Sequence, residues 1–153
     1  MVRFLELLLL LNASYHLELC VDSFLFCYFS KSVECLTPLG MESGKITDGQ
    51  VTASSYFNGD DRYAPKHGRL NKVSGSSESL GAWAAGQENI HQWIQVDLGV
   101  QNMAVTRVAT QGRNNDEERV KSYKLQYSNN MVYFQYYREA TSPLIDKVNI
   151  TSY

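Results

Sequence analysis

The sequence predicts an all-β domain, a sandwich or barrel of short strands. Three observations predict it. Apolar and polar residues alternate with period two in several stretches after residue 35. Turn residues (Gly, Asn, Asp) separate those stretches. No long stretch shows helical periodicity. Composition agrees: ten tyrosines and six phenylalanines favour a pleated surface, where aromatic side chains pack well. The 153 residues make one domain's worth of chain. A hydrophobic content of 44% with 20% charged residues is near the globular average, which argues against wholesale disorder.

The first thirty-four residues differ from the rest. Arg3 supplies a positive start, Leu7 to Leu11 an apolar run, and Asn12-Ala13-Ser14 small residues for cleavage. This is the layout of a secretory signal peptide, with Glu6 as an interruption. A second apolar patch, Cys20 to Phe29, is broken by Asp22 and is too short to cross a bilayer. The chain divides on this reading into a leader over residues 1–34 and a domain over residues 35–153.

Within the domain, Trp93 to Leu98 is the clearest strand. Alternation places Ile94, Val96 and Leu98 on one face and Trp93, Gln95 and Asp97 on the other. Gly99 to Asn102 make a turn, and Val105 to Gln111 a second strand with both faces partly covered. Ser122 to Ser128 alternates well, with Tyr123, Leu125 and Tyr127 pointing one way. Asn129-Asn130 is a turn signal, and Val132 to Tyr137 reads as the returning strand of a hairpin. Two long polar loops remain, Tyr56 to Lys66 and Gly112 to Arg119. In sandwiches such loops gather at the sheet ends and carry binding.

Several function classes are disfavoured. Net charge is −2 and the basic residues are scattered, whereas a nucleic-acid binder presents a basic face to phosphates. Three cysteines, Cys20, Cys27 and Cys35, show no CxxC spacing. His16, His67 and His91 do not stand at metal-ligand spacing. There is no GxSxG elbow, P-loop or GxGxxG. The carboxylates Asp60-Asp61 and Asp116-Glu117-Glu118 lie in polar loops with nothing to raise a pKa for acid catalysis, so an enzyme of carbohydrate chemistry lacks its acid/base pair. Calcium is the main ion such oxygens could take, but EF-hand spacing is missing.

The remaining segments form a recognisable order. They run Cys35, Leu39 to Ile46, Val51 to Ser55, Arg69-Leu70-Asn71, Ala82-Trp83, Gln92 to Gly99, Val105 to Arg113 and Val120 to Ser128. In this order and spacing, residues 35 to 139 resemble the discoidin domain, also called the coagulation factor five/eight type C domain. The resemblance implies a distorted jelly-roll β-sandwich of the galactose-binding-like type. It implies an extracellular or secreted, non-catalytic binding module. Ligands in such a family vary: anionic phospholipid, galactose-type sugars, collagen or other proteins.

Carried over by position, one projecting loop falls on Tyr56, Phe57, Asn58, Gly59, Asp60, Asp61, Arg62 and Tyr63. A second falls on Arg113, Asn114, Asn115, Asp116, Glu117 and Glu118. The candidate ligand-contacting residues are Tyr56, Phe57, Asn58, Asp60, Asp61, Arg62, Arg113, Asn114 and Asn115. Acidic tips disfavour insertion into a membrane, because burying one carboxylate in hydrocarbon costs about 3 kcal/mol. Amide, carboxylate and guanidinium groups beside aromatic rings suit a cell-surface glycan or an extracellular protein. Membrane phospholipid is the alternative partner, and nucleic acid is not expected. Asp48, in the Ile46-Thr47-Asp48-Gly49 turn, is a weak candidate calcium ligand by analogy with galactose-binding-like folds, though Asp-Gly pairs more often simply make turns.

Three departures from the family pattern stand out. Asn130-Met131 replaces an Asp-Gly type turn, Phe134 stands where tryptophan is common, and the terminal strands with their closing cysteine are not recognised after Glu139. The resemblance makes Cys35 half of a disulfide whose partner is missing from this chain. A sandwich without its last strands, or a truncated product without independent binding, is the corresponding expectation. Asn149-Ile150-Thr151 is a glycosylation sequon.

Overall fold

The computed structural model describes residues 4–9, 16–21, 37–75, 77–99, 105–113, 118–120, 122–137 and 149–152. It is all-β: nine strands and four short 3₁₀ turns, with no α-helix among the described residues. The strands are β1 (Phe4–Leu9), β2 (His16–Val21), β3 (Thr37–Pro38), β4 (Val51–Ala53), β5 (Trp93–Asp97), β6 (Val105–Gln111), β7 (Tyr123–Ser128), β8 (Gln135–Tyr136) and β9 (Asn149–Ser152). One sheet has the order β4-β5-β1-β7-β8 and the other β3-β2-β6-β9. All pairs are antiparallel except β6 with β9.

A single apolar cluster joins the two sheets. Ile94 and Val96 of β5, Leu125 of β7, Val51 of β4 and Val108 of β6 pack with Leu39, Met41, Ile46, Trp83 and Leu98. The alternation in β5 therefore sorts the core face as expected. Gln95, on the opposite face, is also buried. β7 behaves similarly: Leu125 is buried on one face, and Gln126 and Ser128 on the other.

Three elements differ from the sequence expectation. The stretch read as a leader contributes β1 and β2, and each is an interior strand of its sheet. A short apolar run has the same composition in a leader and in a buried strand, so composition does not separate them. The sequon stretch forms β9 at the edge of the second sheet, where no strand was expected. The returning strand shrinks from residues 132–137 to Gln135–Tyr136.

The shortening follows from the turn. Ser128 Oγ accepts from the amides of Asn130 and Met131, and Asn130 Oδ1 accepts from those of Val132 and Tyr133. These side chains satisfy backbone groups that a hairpin ladder would otherwise pair. Met131 takes φ +60°, the left-handed region that disfavours a side chain with Cβ. Replacing Met131, which is exposed, by glycine is expected to raise unfolding free energy by about 0.5–1 kcal/mol, the left-handed penalty less glycine's entropy. Urea denaturation would measure it. An unchanged midpoint would show that the turn is not strained.

Arg69 fastens the segment before β4 to the 3₁₀ turns after it. Its buried guanidinium donates to the carbonyls of Met41 (2.7 Å) and Ile46 (2.9 Å) and pairs with Asp48 (2.6 Å). Asp48, the weak calcium candidate, thus serves an arginine in this structure. Among the described residues no group of three His, Cys, Asp or Glu side chains is placed to hold a metal ion. Cys35 lies outside the described residues.

Candidate binding site

The long loop after β4 folds into three successive 3₁₀ turns, at residues 57–59, 61–63 and 65–67. Asn58 and Gly59 both take positive φ, +51° and +65°, which Asn and Gly tolerate best. Asp60 caps the second turn by accepting from the Arg62 amide. Pro65 starts the third, where its missing N–H is no loss.

This loop is fastened to residues 80–86, the segment around Ala82-Trp83. The Phe57 amide donates to Ala84 O (3.0 Å), Ala84 N to Tyr63 O (3.3 Å) and Leu80 N to Arg62 O (3.2 Å). The Trp83 indole donates to Ser55 O (2.9 Å). Gly86 lets the two backbones approach: a Cβ there would stand 2.9 Å from Tyr56 O. Gln92 accepts from both Ser54 and Ser55 hydroxyls, holding the loop root to the start of β5.

The second loop reaches the same place through Arg113. Its Nε donates to Leu80 O (3.0 Å), its Nη1 pairs with Glu118 (2.9 Å), and its guanidinium lies over the Tyr63 ring at 5.7 Å. Tyr63 meets Phe57 edge-on, with centroids 5.3 Å apart. Phe57, Tyr63 and Arg113 thus form a row bridging two loops. Phe57 keeps 45% of its surface exposed and Tyr56 36%.

The acidic tip is internally paired. Arg62 grips Asp60 through Nε and Nη2, and Lys66 pairs with Asp61 at 2.5 Å. The Arg62 hydrogen bonds hold the Asp60 carboxyl below its ordinary value, and Asp60 raises the guanidinium in turn. The hydrogen bond to Asp61 likewise raises the Lys66 ammonium. These groups are solvated, so their pairing shapes the surface more than it stabilises the fold. The site presents two aromatic rings with balanced charges beside them, not bare carboxylates.

Beneath the loop lies His67. It is buried, and its Nε2 has no hydrogen-bond partner among the described residues. Burial pushes the imidazole below its ordinary value of 6.5, and Lys66 and Lys72 push the same way against weaker opposition from Asp61. The folded form thus binds the proton less readily than the unfolded chain. Stability is fully present above pH 6.5, falls as pH drops through it, and levels off below the depressed folded value. Thermal melts between pH 8 and 5 are expected to show this loss, and His67→Leu to remove most of it. An equal slope in the variant would assign the loss to other groups.

Of the expected contact residues, the structure brings Tyr56, Phe57, Asn58, Asp60, Asp61 and Arg62 onto one loop with Arg113 against it. Asn114 and Asn115 lie outside the described residues. Tyr63, the ring that joins the loops, and the supporting carbonyl of Leu80 were not among them. No periodicity in the sequence connects either to Arg113; only the loop fold does.

Two packed sheets presenting aromatic and paired polar groups on loops at one end define a β-sandwich binding module. The chain belongs to the F5/8 type C, or discoidin, domain family, whose model matches residues 50–152. It is 41% identical over 118 residues to coagulation factor V of Mus musculus, covering 74% of this chain and 5% of that protein. It is 39% identical over 111 residues to lactadherin of Bos taurus, covering 69% and 25%. Neuropilin-2 of Mus musculus is 33% identical over 165 residues, covering 92% and 17%. The chain thus spans a quarter or less of each of these relatives. No solved structure matches it significantly.

Proposed function

We propose that this domain is a non-catalytic extracellular recognition module, acting in cell adhesion or as a lectin-like binder of a glycan or a cell-surface or matrix protein. The observation that carries the reading is the exposed Phe57 ring, braced by Tyr63 and Arg113 beside the Asp60–Arg62 pair. A rigid ring offers apolar area for a sugar face or a partner's side chain, and the flanking carboxylate and guanidinium can fix hydroxyls or amides. Relatives named lactadherin and neuropilin-2 are compatible with this class of module.

Binding of the labelled domain to cultured cells tests it. Saturable binding that disappears after glycosidase treatment would identify a glycan; loss only after protease would identify a protein. Binding resistant to both would overturn the reading.

A second reading has its own support. With Asp60 and Asp61 paired to Arg62 and Lys66, the exposed Tyr56 and Phe57 stand at a tip without excess negative charge. That weakens the electrostatic objection to an anionic phospholipid surface. Sedimentation with liposomes containing phosphatidylserine, against liposomes of phosphatidylcholine alone, separates the readings.

A further inference from the structure

We propose that His67 is a proton-operated latch on the loop bearing Tyr56 to Tyr63: uptake of one proton by its ring frees that loop from the segment at residues 80–84. The consequence for ligand release rests on the reading of this loop as the binding site; the latch itself does not. His67 closes the last of the loop's three 3₁₀ turns. Among residues 56–67 only Ala64 and His67 are buried. The chain is pinned at this point: His67 N donates to Ala64 O (2.9 Å), and Arg69 Nε donates to Lys66 O (3.0 Å). Ahead of it, the backbone bonds of Phe57, Arg62 and Tyr63 to residues 80–84 hold the loop without a strand ladder. A segment with so few buried apolar contacts opens at lower cost than the sheets beneath it.

The surroundings of the ring suit the neutral form only. Burial opposes the charged ring most strongly, and Lys66 and Lys72 repel it. A backbone hydrogen bond with Asp61, and then the Asp61 carboxylate, favour it more weakly. Of the elements packed against this turn, β4 brings no titratable side chain. The 3₁₀ turn at residues 48–50 brings Asp48, which Arg69 already engages. Protonation makes the buried, unpartnered Nε2 a donor, and a donor left without an acceptor is costly. The ring gains water as its acceptor when the turn at residues 65–67 swings outward. That movement pulls on Asp61 through its pairing with Lys66, and so on the turn that carries Tyr63. Tyr63 braces Phe57 and lies under Arg113, so the row across the two loops comes apart. The closed loop is thus favoured above pH 6.5, the ordinary value of the ring, and loses ground below it. One pH unit lower, the open form gains at most about tenfold in population. A ligand held by the row leaves faster by the same factor.

Hydrogen exchange of the full chain at pH 7.5 and 5.5 tests the latch without any ligand. After correction for the intrinsic pH dependence of exchange, the amides of Phe57, Leu80 and Ala84 are expected to lose about threefold to tenfold in protection. They should exchange through a smaller opening than Ile94 and Val96, one that denaturant below the unfolding transition leaves unchanged. His67→Gln, or His67→Leu should the glutamine variant fail to fold, should abolish the pH response. His91→Gln, at an exposed histidine, should keep it. Three results would each overturn the proposal: protection equal at the two pH values, loop amides that exchange only with the global unfolding of Ile94 and Val96, or a response that survives loss of His67. Dissociation of the labelled domain from cells at the same two pH values then tests the site. A His67-dependent rise of about threefold to tenfold in the off-rate is expected. A flat off-rate beside a responding loop would uphold the latch and remove the ligand from this loop.

Discussion

Replacing Trp83 by alanine is expected to lower unfolding free energy by about 3–5 kcal/mol, the range for deleting a buried tryptophan. Trp83 is fully buried in the cluster that joins the sheets, and its indole N–H serves Ser55 O at the root of the site loop. The variant loses apolar burial, leaves a cavity and strips that carbonyl of its donor. Against a typical total of roughly 5–15 kcal/mol, this is about a fifth or more of the stability. The melting temperature should fall by about 10 °C or more for a domain of this size. Trp83→Phe should fall less, because the ring refills most of the space while the Ser55 carbonyl stays unpaired. Thermal unfolding followed by circular dichroism measures both. If Trp83→Ala shifted the midpoint by only a degree or two, the core would not be centred on this residue.

Phe57→Ala is expected to have the largest effect on binding. Truncating a central aromatic anchor weakens an interface by about 2 kcal/mol or more, roughly thirtyfold. Phe57 is 45% exposed and touches Tyr63 only edge-on, so its removal should move the melting temperature little. Tyr133→Ala is the matched control. It removes an exposed aromatic residue in the turn after β7, at the sheet end away from the site, and should leave binding unchanged. Asp60→Asn is expected to weaken binding less than Phe57→Ala, because its pairing with Arg62 is solvated. Titration of cell binding for the three variants orders them. Equal affinities for Phe57→Ala and the parent would move the site away from this loop.

The legible parts of the fold share one property: their pattern has a single structural meaning. The alternation of Ile94, Val96 and Leu98 requires a strand with one core face, and all three are buried. Val105 to Gln111 forms β6 with the bounds that its β-branched residues suggested. The polar loop from Tyr56 to Lys66 could not be buried without unsatisfied backbone groups, so it had to project. Phe4 to Leu9 has two meanings, export leader or interior strand, and only pairing partners distinguish them. Met131 disguised the turn after β7, because nothing local announces that Ser128 and Asn130 will bind the backbone in place of a ladder.

By itself, then, the sequence determined an all-β sandwich, its family, and the loop bearing Tyr56 to Tyr63. Period-two patterning and turn residues act over a few neighbours, and so they can be read locally. Tertiary structure alone decided that Arg113 joins Phe57 and Tyr63 in one row, and that β1 and β2 occupy the middle of both sheets. Those arrangements join residues as far apart as Phe4 and Ser128. They depend on which backbone edges and side-chain charges meet once the chain has closed, and no short window of sequence contains that information.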